Sequence, residues 1–247
     1  HTRVGIIGTG ATAMQCVPHL ADAAEHLYVF QRTPSSIDVR DNRPTDPEWA
    51  ESLQPGWQTE RMANFNALVS GVPQATDLVD DGWTDIIGKL LVRIQREGKD
   101  ADLSPDGIAS SMELADFEKM EEIRRRAQEI VDDPETGEAL KPWYRQFCKR
   151  PTFNDDYLET FNRDSVHLVD VSESKGVERI TATSVVANGQ AIEVDCIIYA
   201  TGFEITTVAH RRVDFDTIGK NGQSLYDHWK GGFRTLHGLS SHGFPNW

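Results

Sequence analysis

The sequence predicts an α/β fold: a parallel sheet, interrupted by a helical insertion and accompanied by a β-hairpin or meander. Three observations carry this expectation. Residues 3–8 read RVGIIG, an apolar run rich in β-branched residues and closed by glycine, and LYVFQR (27–32) repeats the strand signal one helix-length later. Between about residues 77 and 131, charges alternate with apolar residues at helical spacing. Strand signals then resume at SVHLVDV (165–171) and close with CIIYATG (196–202).

Taken in order, residues 11–25 fit a helix with Met14, Val17, Leu20 and Ala21 on one face. Strand, glycine turn, helix and strand then make a right-handed βαβ unit, so the sheet is Rossmann-like. RPTDPEW (43–49) reads as loop. Two helical seams follow: Ile86, Ile87, Leu90, Leu91 and Ile94 share one face, and Leu114, Phe117, Met120, Ile123, Ala127 and Ile130 share another. Both are expected to be core rather than a cofactor pocket. DDPETGEALKP (132–142) is a turn-rich exit. In VERITATSVVANGQAIEVD (177–195), Asn188-Gly189 between two alternating runs predicts a β-hairpin. The run before Ala200-Thr201-Gly202 is expected to be a second buried parallel strand. The resulting division is 1–45 and 147–208 for the two halves of a nucleotide-binding domain, 46–146 for the insertion, and 209–247 for a partial return toward another domain.

Composition limits the function. A formal charge of −14 over 247 residues argues against nucleic acid and anionic membrane surfaces as partners. No apolar run approaches the roughly 20 residues of a membrane span, and no signal-peptide pattern opens the chain, so a cytoplasmic protein is expected. Cys16, Cys148 and Cys196 form no CxxC pair, which speaks against dithiol redox chemistry and fits a reducing compartment. His19 and His26 lack metal-ligand spacing and are expected on a solvated helix face; no metal is expected. Cys148 sits beside two cations that would lower a thiol pKa, but a buried small hydrophobe is the preferred reading.

Gly8-Thr9-Gly10-Ala11-Thr12-Ala13 is GxGxxA between a strand and a helix. In a dinucleotide site the first glycine permits the tight turn and the second lets the pyrophosphate approach the backbone. The small third residue lets helix and strand pack closely. The phosphates then meet the free N–H groups and the positive end of the helix dipole. At the end of the second strand, an NAD site places an Asp or Glu against the ribose 2′-OH. Here the residues are Gln31, Arg32 and Thr33. A guanidinium and a hydroxyl bind a 2′-phosphate instead, so NADP(H) is expected over NAD(H). The alternative, a surface arginine after a strand, is the less favoured reading of Arg32.

FCKRP (147–151) adds two adjacent cations, Lys149 and Arg150, at the re-entry into the α/β core. With VGIIGTGATAMQCVPHLA, LYVFQRTP, CKRPTFNDDYLETFNRDSVHLVD, VERIT and VDCIIYATGFE in this order and spacing, the chain resembles the Baeyer–Villiger monooxygenases, class B flavin monooxygenases. The resemblance implies a two-dinucleotide flavoprotein in which an FAD domain is interrupted by an NADPH domain carrying a helical insertion. It implies that NADPH reduces the flavin, that a flavin C4a-peroxide forms from O2, and that this peroxide attacks a ketone to give an ester or lactone. Residue by residue, Thr9 to Gln15 match the pyrophosphate turn, Arg32 and Thr33 the 2′-phosphate clamp, and Lys149 a second phosphate-binding cation. Arg150 matches the arginine beside the flavin, where a permanent cation suits an anionic peroxide. Ala200, Thr201 and Gly202 match the strand end leading back toward the flavin domain, and Phe161-Asn162-Arg163-Asp164 matches a segment read here as a structural turn.

The chain departs from that family at both ends. The FAD GxGxxG and the FxGxxxHxxxW fingerprint are expected ahead of His1, and further flavin-binding sequence beyond Trp247. As it stands, the chain is expected to bind NADPH and to be inactive without its FAD domain. An N- or S-oxidising flavin monooxygenase and a non-catalytic NADP-binding module stay open as alternatives. The particular ketone and the oligomeric state are not legible.

Overall fold

A computed structural model of the protein describes residues 2–85, 88, 102, 104–203 and 215–246. The chain divides into two units, His1–Thr201 and Gly202–Trp247. The first opens with strand β1 (Arg3–Ile7), helix α1 (Ala11–Ala23) and strand β2 (His26–Gln31), the βαβ unit that the sequence predicts. After a two-residue strand β3 (Ile37–Asp38) come helices α2 (Pro47–Ser52), α3 (Trp57–Val69), α4 (Pro105–Ile130) and α5 (Pro134–Ala139). The chain returns through β4 (Thr152–Phe153), α6 (Tyr157–Thr160) and β5 (Val166–Asp170). It then runs through β6 (Arg179–Ile180), β7 (Ser184–Ala187), β8 (Gln190–Glu193) and β9 (Cys196–Tyr199).

The main sheet has the order β5-β2-β1-β9 with every pair parallel. Both of its faces are covered. Val4, Ile6, Leu27, Val29 and Val166 pack with Ala13, Met14, Val17 and Ala21 of α1 on one side. Phe30 with the partly buried Ile7 and Ile197 packs against Val185 and Ala187 of the antiparallel β6-β7-β8 meander. Burial on both faces is why β1 reads as a continuous apolar run rather than an alternating one. In the meander, Ala187 pairs with Gln190 across Asn188 (φ 51°) and Gly189 (φ 71°), the two left-handed residues that a type I′ turn requires.

The insertion is closed at a neck. Ile37 pairs with Thr152 and Asp38 with Phe153, so the chain leaves and re-enters side by side. The long helix α4 is capped by Ser104, whose hydroxyl accepts from Gly107 N. Its buried stripe runs through Ser111, Ala115, Lys119, Ile123 and Ala127, each four residues apart, joined by Met120.

Six expectations need correction, the first being that residues 43–49 are loop throughout: helix α2 starts at Pro47, with Asp46 accepting from Glu48 N. Leu114 and Phe117 lie off the i, i+4 stripe of α4 and are 44% and 48% exposed; Met120, Ile123 and Ala127 of the predicted seam are buried as expected. The parallel strand β9 is the edge of the sheet rather than a buried strand, with Tyr199 64% exposed. The exit at 132–142 contains the short helix α5, started by Asp133 accepting from Thr136 N. His26 begins β2 and stacks on His167 of β5, with ring nitrogens 3.1 Å apart, whereas His19 is exposed on α1 as expected. Cys148 is exposed, at the end of a single 3-10 turn, and is no buried hydrophobe. The seam expected from Ile86, Ile87, Leu90, Leu91 and Ile94 lies outside the described residues.

In the second unit, helix α7 (Leu225–Trp229) is capped by Ser224, and Leu225 and Phe244 are buried. Among the described residues, no helix is long and apolar enough to cross a membrane.

Candidate nucleotide-binding site

The site starts where β1 runs into α1. Gly8 has φ +103°, and a Cβ built on it would overlap the Ala200 carbonyl oxygen. The surrounding backbone fixes that approach: Gly8 N donates to Phe30 O at 3.0 Å and Ala200 N to Ile7 O at 2.9 Å. Only glycine fits here. Gly10, the N-cap of α1, has φ −72°, which any residue adopts, and a Cβ there would meet nothing within 4 Å. Packing does not ask for glycine at this position. Its effect is to keep open the space above the start of the helix. No side chain caps α1 and no acidic residue lies in its first turn, so its leading N–H groups face that space with the positive end of the dipole. An anionic diphosphate fits this arrangement.

The neighbouring residues sort clearly. Ala13 is fully buried against the sheet, the close helix–strand contact expected of it, while Ala11 is half-buried and Thr12 exposed. Gln15 turns back on its own helix, its Nε2 donating to Ala11 O at 2.8 Å. Thr201 is exposed with its Cα near Gly8, and Gly202 (φ +87°) opens the second unit.

After β2 the chain is laced to the glycine turn. Thr9 Oγ1 donates to Thr33 O at 2.8 Å, and Ser35 Oγ donates to Thr9 O at 2.6 Å. From the other side, the buried Gln31 donates to Ala139 O, Ser36 N donates to the Tyr144 hydroxyl at 3.0 Å, and Thr152 Oγ1 donates to Ser36 O. Arg32 projects exposed from this braced segment. Lys149 is brought close to it, although the whole insertion separates them in sequence. Partial burial, and then the positive charge of Arg32, hold the Lys149 ammonium below the usual lysine range. Its Nζ lies 5.1 Å from the centre of the Tyr144 ring. A second cation near enough for Arg32 to act on its charge suits an anionic phosphate. Beside Arg32, a cleft of about 570 Å³ is walled by Pro34, Lys141, Trp143 and Ser172 and by the carboxylates of Glu135, Glu138 and Asp170, so its lining is of mixed charge.

Arg150 is exposed and makes no hydrogen bond or ion pair among the described residues. The Phe161–Asp164 segment is a structural turn. Asn162 accepts from Asp132 N and donates to Ile130 O, tying down the end of α4, and Arg163 pairs with Asp22 of α1. A larger cleft of about 770 Å³ lies in the insertion, but Arg40, Arg61 and Arg126 there face Asp80, Asp81 and Glu129, a mixed lining that singles out no ligand. Sequence reasoning missed Tyr144, Ser36 and the bracing by Gln31, which belong to no local motif.

No protein-family model matches the chain. It is 56% identical over 99% of its length to neopentalenolactone D synthase of Streptomyces avermitilis, covering 41% of that protein. It is 50% identical over 99% of its length to a Baeyer–Villiger monooxygenase of Stachybotrys chlorohalonatus, covering 39% of it. Among solved structures, it resembles the polycyclic ketone monooxygenase of Thermothelomyces thermophila (TM-score 0.80, 41% identity, covering 99% of this chain and 40% of that one). It also resembles OTEMO in complex with FAD and NADP (TM-score 0.65, 30% identity, 98% and 45%). The chain thus spans about two fifths of the curated relatives it matches.

Proposed function

Since the chain is homologous along its length to part of the Baeyer–Villiger monooxygenases, we propose that it forms the NADPH-binding portion of such an enzyme. The whole protein would be an FAD- and NADPH-dependent monooxygenase inserting one oxygen of O2 into a ketone to give an ester or lactone. One observation carries the nucleotide part: the open, uncapped start of α1 lies on the same braced framework as the Arg32–Lys149 pair. In this reading the N–H groups from Gly10 to Ala13 take the pyrophosphate. Arg32, Thr33 and Lys149 take the 2′-phosphate, which separates NADPH from NADH.

The flavin supplies the redox chemistry with O2. This chain binds and orients the nucleotide that reduces it. Arg150 would present a permanent positive charge to the reacting centre, because a guanidinium stays protonated where a lysine can lose its proton. Gln15, Ala200, Thr201 and Gly202 keep the cofactor-binding roles that the sequence resemblance gives them. Three cysteines without disulfide partners suit a cytosolic location.

The test is the affinity of the intact protein for NADP⁺ and NAD⁺, with and without Arg32→Ala. Loss of a charge-assisted bidentate contact of about 1.5–3 kcal/mol should weaken NADP⁺ roughly 10- to 100-fold and leave NAD⁺ unchanged. Equal wild-type affinities would remove the clamp. For the reaction, Arg150→Ala should abolish ester formation from a ketone, and retained ester formation would overturn that assignment.

A further inference from the structure

The geometry points to Tyr144 as a positioning residue for 2′-phosphate recognition, acting through Lys149 and through the loop that carries Arg32 and Thr33. This inference rests on the proposed NADPH reading. Tyr144 touches both halves of the clamp. Its hydroxyl oxygen accepts from Ser36 N at 3.0 Å, and its ring face lies 5.1 Å from Lys149 Nζ. The two halves come from opposite ends of the insertion, since Arg32 and Thr33 follow β2 whereas Lys149 precedes β4. They therefore need a connector.

The connection runs in series. The 33–36 loop is held to the glycine turn by the Thr9–Thr33 and Ser35–Thr9 hydrogen bonds, and to the re-entering chain by Ser36 N–Tyr144 and Thr152–Ser36. Tyr144 thus belongs to the frame that fixes where Arg32 starts. Lys149 has a different difficulty. A lysine is a flexible four-carbon arm, and Arg32 repels its head. Left alone, it would gain freedom and lower its energy by swinging into solvent. The electron-rich face of Tyr144 opposes that by attracting the ammonium. The hydroxyl and the ring accordingly have separable roles, one setting the loop and the other the lysine.

The experiment compares 2′,5′-ADP with 5′-AMP on the intact protein, two probes that differ by the 2′-phosphate alone. Wild type should prefer 2′,5′-ADP. Tyr144→Leu, which removes ring and hydroxyl, should weaken 2′,5′-ADP roughly 3- to 10-fold, the range of a lost cation–π contact, with 5′-AMP held within about twofold. In a Lys149→Ala background the same change should have a smaller effect, because only the part that passes through the hydroxyl and the 33–36 loop remains. Equal weakening of both probes, or an undiminished effect without Lys149, would show a merely structural role and overturn the inference. Should Tyr144→Leu not fold, Tyr144→Phe decides: it should speed hydrogen exchange at the Ser36 amide and lower the probe ratio. An unchanged ratio and exchange rate would overturn the proposal. Equal wild-type binding of the two probes would instead overturn the underlying NADPH reading, and this inference with it.

Discussion

At Gly8, a φ of +103° and the Ala200 carbonyl leave no room for a side chain; at Gly10, φ is −72° and a Cβ would meet nothing within 4 Å. The GxGxxA pattern names both positions without saying that one glycine serves the fold and the other serves a ligand. Paired substitutions separate these roles. Gly8→Ala forces a left-handed alanine against a backbone oxygen and should destabilise the protein by about 2 kcal/mol or more. Gly10→Ala should cost less than about 1 kcal/mol, as expected for an exposed N-cap exchange. It should nevertheless weaken NADP⁺ roughly tenfold, the equivalent of about 1.4 kcal/mol of lost phosphate contact. Denaturant unfolding and nucleotide titration of both variants check this. A Gly10→Ala protein that binds NADP⁺ normally would remove the pyrophosphate from the helix start.

The element α4 shows where sequence patterning stops being informative. Helical periodicity locates the helix and half of its seam, since Met120, Ile123 and Ala127 are buried. It cannot say what covers each face, and so it misplaces Leu114 and Phe117. Nor does it reveal that Lys119, one charge among many in MELADFEKMEEIRRR, is 6% exposed. Lys119 Nζ lies 2.6 Å from Asp38 Oδ2 at the neck of the insertion and 2.8 Å from Asp85 Oδ2. Burial alone would lower the lysine pKa, but the bonds to Asp38 and Asp85 outweigh it and hold the value above the usual range. A lysine raised in the folded state contributes stability that is fully present below its unfolded pKa and is lost only as pH rises through the folded value. The ion pair is therefore intact at every physiological pH. Lys119→Met keeps the volume but leaves the Asp38 carboxylate buried without its cation, which should cost about 3 kcal/mol. The expected result is a lower denaturant midpoint at neutral pH. A Lys119→Met protein as stable as wild type would show that the neck does not depend on this pair.

Across the whole molecule, the candidate site is assembled from separate stretches: the glycine turn, the 32–36 loop, the 144–150 return and the start of the segment after β9. The first two were legible because each is a local pattern, an apolar run meeting glycines and a strand end bearing a cation in place of an acid. Lys149 was legible as a candidate ligand from its place at the re-entry into the core, and its phosphate-binding role from the family resemblance. Tyr144 was not legible at all, since its contacts span the insertion. An assembly of this kind makes a whole-molecule prediction. Hydrogen bonds with Thr9, Tyr144 and Thr152 already hold the 33–36 loop, Tyr144 accepting from Ser36 N. The loop is therefore held in place before any nucleotide arrives. A ligand that binds only this folded arrangement stabilises it by mass action, about 2.7 kcal/mol at a hundred times its Kd. For a structural unit of this length, that should raise the unfolding temperature by roughly 5–10 °C. At the same concentration NAD⁺, lacking the phosphate that Arg32 and Lys149 would bind, should give a small fraction of that shift. Arg32→Ala should bring the NADP⁺ response down to the NAD⁺ response without changing the unliganded melting temperature, because Arg32 is exposed and makes no hydrogen bond or ion pair among the described residues. Thermal melts of wild type and variant with each nucleotide measure all three quantities. Equal shifts from NADP⁺ and NAD⁺ in wild type would mean that the two cations contribute nothing to binding, however close the fold brings them.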